Sequence, residues 1–118
     1  MYTISKEFHF SAAHRLLTLA ADHPCYRLHG HNYVVTLELK SAGVNPNGFV
    51  LDFRELAPLK TYIDDNFDHQ YLNDVMGDVQ TTSEHLAKHF YDWAQAKWPQ
   101  VSAVRVSETQ KTWAEYRP

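Results

Sequence analysis

From Tyr2 to His14 the chain alternates: Ile4, Phe8, Phe10, Ala12 and His14 fall on one side, with Lys6 the only polar intruder. A period of two residues is that of a β-strand with one buried face. A clearer alternation starts at His29. His29, His31, Tyr33, Val35, Leu37 and Leu39 share one side; Asn32, Thr36, Glu38 and Lys40 share the other, where only Val34 is apolar. Both apolar rows therefore end in histidine. Residues 16–28 between them lack a period and contain Pro24, which predicts a loop.

Gly43, Asn45, Pro46, Asn47 and Gly48 mark a turn after the second strand, and Phe49-Val50-Leu51 reads as a short strand piece. Asp52, with Glu55 three residues on, has the form of a capping box. Phe53, Leu56, Leu59, Ile63 and Phe67 then follow helical spacing, and Pro58 should kink that helix or confine its first turn. A loop with Asp68-His69 leads to a second capping box, Thr81 with Glu84, and a helix whose stripe is Leu86, Phe90, Trp93 and Ala94, ending near Trp98-Pro99. Two strands close the chain, about 101–109 and 113–117. The expected order is β-β-α-α-β-β, an α+β fold in one domain spanning 1–118.

Four groups carry candidate chemistry. His29 and His31 are two apart, so both rings leave the strand on the same face, and His14 ends the neighbouring strand. Three imidazoles with no fourth protein ligand form the catalytic type of zinc site, open at one position. Nickel, copper or iron would accept the same set. His9 is not counted among these ligands. Cys25, the only cysteine, lies four residues before His29. A cation nearby lowers a thiol's pKa and makes it usable as a base, but the spacing equally permits a fourth metal ligand. Asp68 can fix the tautomer of His69 if both side chains enter a cleft. Glu108 ends the apolar row Val104, Val106. A carboxylate there needs a partner: an arginine such as Arg105 or Arg15, or the N–H edge of a planar heterocycle.

Composition narrows the function. The formal net charge of −3 argues against non-specific nucleic-acid binding. No apolar run approaches the roughly 18 residues of a membrane span, and a lone cysteine cannot make an internal disulfide, so a cytosolic protein is expected. Eight histidines in 118 residues exceed what core filling needs, and a chain this size gains from oligomerisation.

The ordered set Phe10-Ser11-Ala12-Ala13-His14-Arg15, Cys25-Tyr26-Arg27-Leu28-His29-Gly30-His31, Val50-Leu51-Asp52-Phe53, Phe67-Asp68-His69-Gln70-Tyr71-Leu72-Asn73, Thr82-Ser83-Glu84, Glu108-Thr109 and Tyr116 resembles the 6-pyruvoyltetrahydropterin synthase family. The likeness spans nearly the whole chain. The three-residue gap between Cys25 and His29 is similar to the bacterial branch that makes 6-carboxy-5,6,7,8-tetrahydropterin in the queuosine pathway. Two positions depart from the pattern. Gln70 stands where relatives often carry histidine or lysine, and Thr81 where many carry proline, a change expected to affect only the helix start.

The resemblance implies a four-stranded antiparallel sheet with two helices on one face, the tunnelling fold, with sheets of several subunits joined into a barrel and active sites between chains. A trimer or a hexamer built from trimers is expected. It implies zinc on His14, His29 and His31, Cys25 as the proton-abstracting base, and His69 with Asp68 as the partner acid/base unit. It also implies Glu108 as pterin anchor and relay member, with Thr82 and Ser83 near the pterin. The implied substrate is 7,8-dihydroneopterin triphosphate; Arg15, Arg27 and Lys111 are the local candidates for its phosphates. The pyruvoyl-forming reaction, a non-catalytic zinc- or pterin-binding module and a zinc hydrolase are the competing readings.

Overall fold

The computed structural model describes residues 1–77 and 80–118. Four strands, β1 (Tyr2–His14), β2 (His29–Ser41), β3 (Val101–Thr109) and β4 (Thr112–Tyr116), form one antiparallel sheet in the order β1-β2-β3-β4. Helices α1 (Ala57–Asn66), α2 (Leu72–Met76) and α3 (Ser83–Lys97) separate β2 from β3. The α+β architecture and the antiparallel four-stranded sheet agree with the alternation in the sequence.

The alternation also sets the core. Phe8, Phe10 and Ala12 of β1 join Tyr33, Val35, Leu37 and Leu39 of β2 and Val101, Val104 and Val106 of β3. Leu59 and Ile63 of α1 and Leu86, Ala87, Phe90 and Ala94 of α3 cover them. At the centre Phe10 stacks on Tyr33 with ring centroids 4.8 Å apart and meets Phe67 and Phe90 edge-on. Such aromatic contacts add to the apolar area they bury. In β3 the alternation breaks at Ser102, where the pairing with β2 shifts between Glu38 and Leu39. The extra residue lets Val101 and Val104, an odd and an even position, reach the same core.

Several local expectations change. Residues 49–51 form no strand, 50 and 51 being bends, and Phe53 is 49% exposed, outside the stripe assigned to it. Asp52 does cap, but it accepts from the Arg54 N–H at 3.0 Å and opens a 3-10 turn, Phe53–Leu56. Pro58 sits in the first turn of α1, where its missing N–H costs nothing. The short helix α2 carries too few residues to show a period. The cap of α3 is Thr82, one residue later than the Thr81–Glu84 box, because the buried Thr81 is engaged elsewhere. Strand β4 starts and ends one residue earlier than expected.

On the sheet face away from the helices, Arg117 grips Glu38 through two hydrogen bonds of 2.7 and 2.9 Å, and Ser102 donates to the same carboxylate at 2.7 Å. Arg117, then burial's smaller opposing effect and Ser102, set the Glu38 carboxyl at about 2. A depressed carboxyl stabilises the fold above its unfolded pKa and loses that contribution as pH falls through its folded one. Between about pH 4.5 and about pH 2 the protein should therefore lose stability, and Glu38→Gln should flatten that decline. Urea midpoints of both proteins across this window measure it; parallel pH profiles would contradict the ion pair's contribution.

Candidate metal centre

The register of β1 with β2 places His14 opposite His29 and Ala12 opposite His31. His14 and His31 thus lie on neighbouring strands, and one face carries all three rings. Their ring centroids are 4.6 to 5.2 Å apart. One nitrogen from each ring falls within 4.8 Å of the other two, and among the described residues this is the group of metal-binding geometry. His9, an odd position on a regular strand, points to the opposite face and meets Glu7.

The partners of the rings fix which nitrogen is free. His14 Nδ1 lies 2.9 Å from the Thr81 carbonyl oxygen, and His29 Nδ1 lies 2.6 Å from the Arg27 carbonyl oxygen. A carbonyl only accepts, so both Nδ1 atoms carry the proton and donate. In neutral rings both Nε2 atoms then hold lone pairs, and they approach to 3.1 Å. Two lone pairs do not settle at that distance by themselves; a proton or a metal cation between them is what the arrangement calls for. Burial, with the neighbouring imidazoles adding to it, pushes the His14 pKa down, and burial does the same to His31 against the opposing effect of Glu108. Both shifts favour the neutral, ligating form of those two rings. Neutral imidazole nitrogens of this kind suit zinc, and the carbonyl partners are the usual outer support of such ligands.

Glu108 lies within the bulge that shifts the β3–β4 pairing between Val106 and Thr109. Its carboxylate comes 3.6 Å from His31 Nε2, so its neighbour is the histidine cluster and not Arg105 or Arg15. Arg105 instead stacks over Trp113, and Arg15 over Tyr26. Cys25 sits in a 3-10 turn, Pro24–Tyr26, whose start is capped by the His23 side chain accepting from the Cys25 N–H. Cys25 is not a member of the metal-binding group. Arg27 and Lys111 are exposed.

Asp68 and His69 form a direct side-chain pair: His69 Nδ1 to Asp68 Oδ2 is 2.8 Å. Adjacent side chains usually diverge. Here His69 has a φ of 60°, in the left-handed region, which turns its ring back onto its neighbour. The Ser11 N–H donates to Asp68 Oδ1 at 2.9 Å, and this bond, followed by the one from His69, lowers the aspartate's pKa. His69 and His31 line one depression of about 540 Å³ with Ser11, Asn32 and Tyr71. The His69 side chain is 83% exposed.

Of the remaining candidates, Thr82 uses its hydroxyl on His85 at the helix start. Ser83 is buried, its hydroxyl has no hydrogen-bond partner among the described residues, and it lines a second depression with Glu108. Sequence reasoning missed Thr81, Tyr33 and Asn73. Asn73 accepts from the Arg15 N–H and donates to the Arg15 carbonyl, both at 2.9 Å, so its amide clamps the backbone beside His14. An asparagine between Leu72 and the apolar Val75-Met76 was the available signal for Asn73; nothing local marked Thr81 as a partner of His14.

A model of the family described as 6-pyruvoyl tetrahydropterin synthase matches residues 3–118. A relative from Synechocystis, named 6-carboxy-5,6,7,8-tetrahydropterin synthase, is 39% identical across 98% of this chain and 93% of its own. A Bacillus subtilis relative of the same name is 33% identical across 99% and 86%. The solved structure of Caenorhabditis elegans 6-pyruvoyl tetrahydropterin synthase superposes with a TM-score of 0.83 at 28% identity, covering 99% of this chain and 95% of that one. Sequence and fold therefore agree over essentially the full length, and the chain belongs to the 6-pyruvoyl tetrahydropterin synthase family.

Proposed function

We propose that this protein is a zinc-dependent carbon–carbon lyase. It would convert 7,8-dihydroneopterin triphosphate and water to 6-carboxy-5,6,7,8-tetrahydropterin, acetaldehyde and triphosphate, on the route to queuosine. The observation that carries the reading is the cluster of three imidazoles, two of them supported by backbone carbonyls, with Glu108 at its edge. It occurs in a chain 39% identical to a relative named for that product. The reaction needs no outside reductant: the ring gains the hydrogens that the side chain gives up, and water supplies the carboxylate oxygen.

Zinc held by His14, His29 and His31 would supply Lewis acidity to the substrate's side-chain hydroxyls. The Cys25 thiolate, outside the ligand set, takes the proton from the side-chain carbon. His69 exchanges a proton with the side-chain oxygen through Nε2, because Nδ1–H is spent on Asp68. Glu108 accepts two N–H bonds from the amino-pyrimidine edge of the pterin. Thr82 and Ser83 flank that ring, and the unpartnered Ser83 hydroxyl has a bond to offer it.

The working form is a cytosolic homo-oligomer, a trimer or hexamer. Its sheets would join through β1 and β4, the two edges of an otherwise open sheet.

Mass spectrometry after incubation with 7,8-dihydroneopterin triphosphate should show the 6-carboxy product and acetaldehyde. A 6-pyruvoyl product would assign the chain to the branch without carbon–carbon cleavage, and unchanged substrate would refute both. Cys25→Ala should keep its zinc while turnover falls by about 10²–10⁴. Metal analysis showing zinc lost with the thiol would make Cys25 a ligand and remove the proposed base. Glu108→Ala should weaken pterin binding at least tenfold, roughly 1.4 kcal/mol, with zinc content unchanged. Equal loss of both in a titration would place Glu108 in the metal site alone.

A further inference from the structure

The position read from sequence as a mere variation at a helix start, Thr81, is fully buried against the metal-facing end of β1. Its carbonyl oxygen lies 2.9 Å and its hydroxyl oxygen 3.0 Å from the same atom, His14 Nδ1. The Tyr33 hydroxyl, also buried, stands 3.5 Å from that nitrogen. Three oxygens from two residues thus surround one ring nitrogen. Capping does not use the Thr81 hydroxyl: α3 is capped by Thr82.

We propose that Thr81 is a positioning residue for the metal centre, acting through His14: its carbonyl and hydroxyl together hold the ring as the Nδ1–H tautomer and aim Nε2 at the cation. The carbonyl alone would fix the tautomer. The hydroxyl adds a second oxygen beside the first, so the N–H is shared between them and the ring cannot swing about its Cβ–Cγ bond without losing both. Tyr33 closes the third side. The ring most deeply buried of the three, 1% exposed for the whole residue, is therefore also the one with the most oxygen neighbours. Outer partners of this kind typically change metal affinity by about 10–100-fold when removed. The inference rests on the metal reading given under Proposed function.

The test is zinc affinity by chelator competition on the full chain, in the wild type, Thr81→Val and Thr81→Ser. Val keeps the shape and the carbonyl and removes the hydroxyl; Ser keeps the hydroxyl. Thr81→Val should bind zinc about tenfold more weakly or worse, and Thr81→Ser should stay near the wild type. Thermal unfolding of the metal-free proteins runs alongside: a residue that only starts a helix would lower that midpoint and leave zinc affinity alone, which would overturn the proposal. Equal zinc affinity in all three proteins would overturn it as well, with the metal reading intact. A wild type that binds no zinc would instead overturn the metal reading and this inference with it. Should Thr81→Val not fold, imidazole ¹⁵N spectra of the metal-free wild type decide: the His14 proton on Nδ1 supports the proposal, and on Nε2 refutes it.

Discussion

The register between β1 and β2 is the constraint on which everything else in this molecule depends. It runs without a slip from Tyr2 opposite Ser41 to His14 opposite His29. Because the side-chain period of a strand is two, a shift of one residue would send every core residue of one strand to the other face. Phe8, Phe10, Tyr33, Val35 and Leu37 forbid that shift by their burial. The same apolar rows that specify the pairing thereby deliver three histidines to one point at their shared end. No separate folding device is needed for the cluster; it is the last rung of the hydrophobic ladder.

A second feature ties the Asp68–His69 pair to that rung. Residues 68–73 run beside the outer edge of β1. Asp68 accepts from the Ser11 N–H, the His69 N–H donates to the Ser11 carbonyl, the Ala13 N–H donates to the Gln70 carbonyl, and Asn73 pairs with both polar groups of Arg15. Alternate residues 11, 13 and 15 are those whose backbone groups face away from β2 near the strand's end. An edge left bare there would be a liability. The segment satisfies it and, in doing so, fixes the distance between His69 and the histidine cluster through backbone bonds.

The sequence revealed the sheet and the metal-binding face because both obey a short, local period. β1 and β3 have the bounds read from alternation, and His14, His29 and His31 converge as their parity required. What it hid has a common physical reason: the relevant partners are far apart in the chain or set by the backbone. The Thr81 contact with His14 spans 67 residues and half of it is a carbonyl, which every residue carries. Asn73 acts by imitating a strand neighbour, which no period records. The misplaced cap is the same failure in another form. Thr81 and Thr82 are locally equivalent as capping residues, and only the buried ring of His14 decides which of them is taken from that task.

His69 shows how far a local rule can mislead. Side chains of consecutive residues point apart in strands and helices, so Asp68-His69 in sequence carries little weight as a pair. The left-handed backbone at His69 reverses that geometry. For a residue with a Cβ this conformation costs on the order of 1–3 kcal/mol and persists where the surroundings impose it. Here they do so from both sides, through the 2.6 Å bond from the His69 N–H to the Ser11 carbonyl and through the Asp68 carboxylate that accepts from the ring Nδ1–H. The outcome is an imidazole with one nitrogen committed and the other exposed to solvent. The metal centre has the opposite design: its His14 ring is buried and fixed by several oxygens. The histidine cluster presents fixed nitrogens suited to a cation, and His69 leaves its second nitrogen open to solvent. A strained, exposed histidine is thus anchored to the same strand as a rigid, buried one.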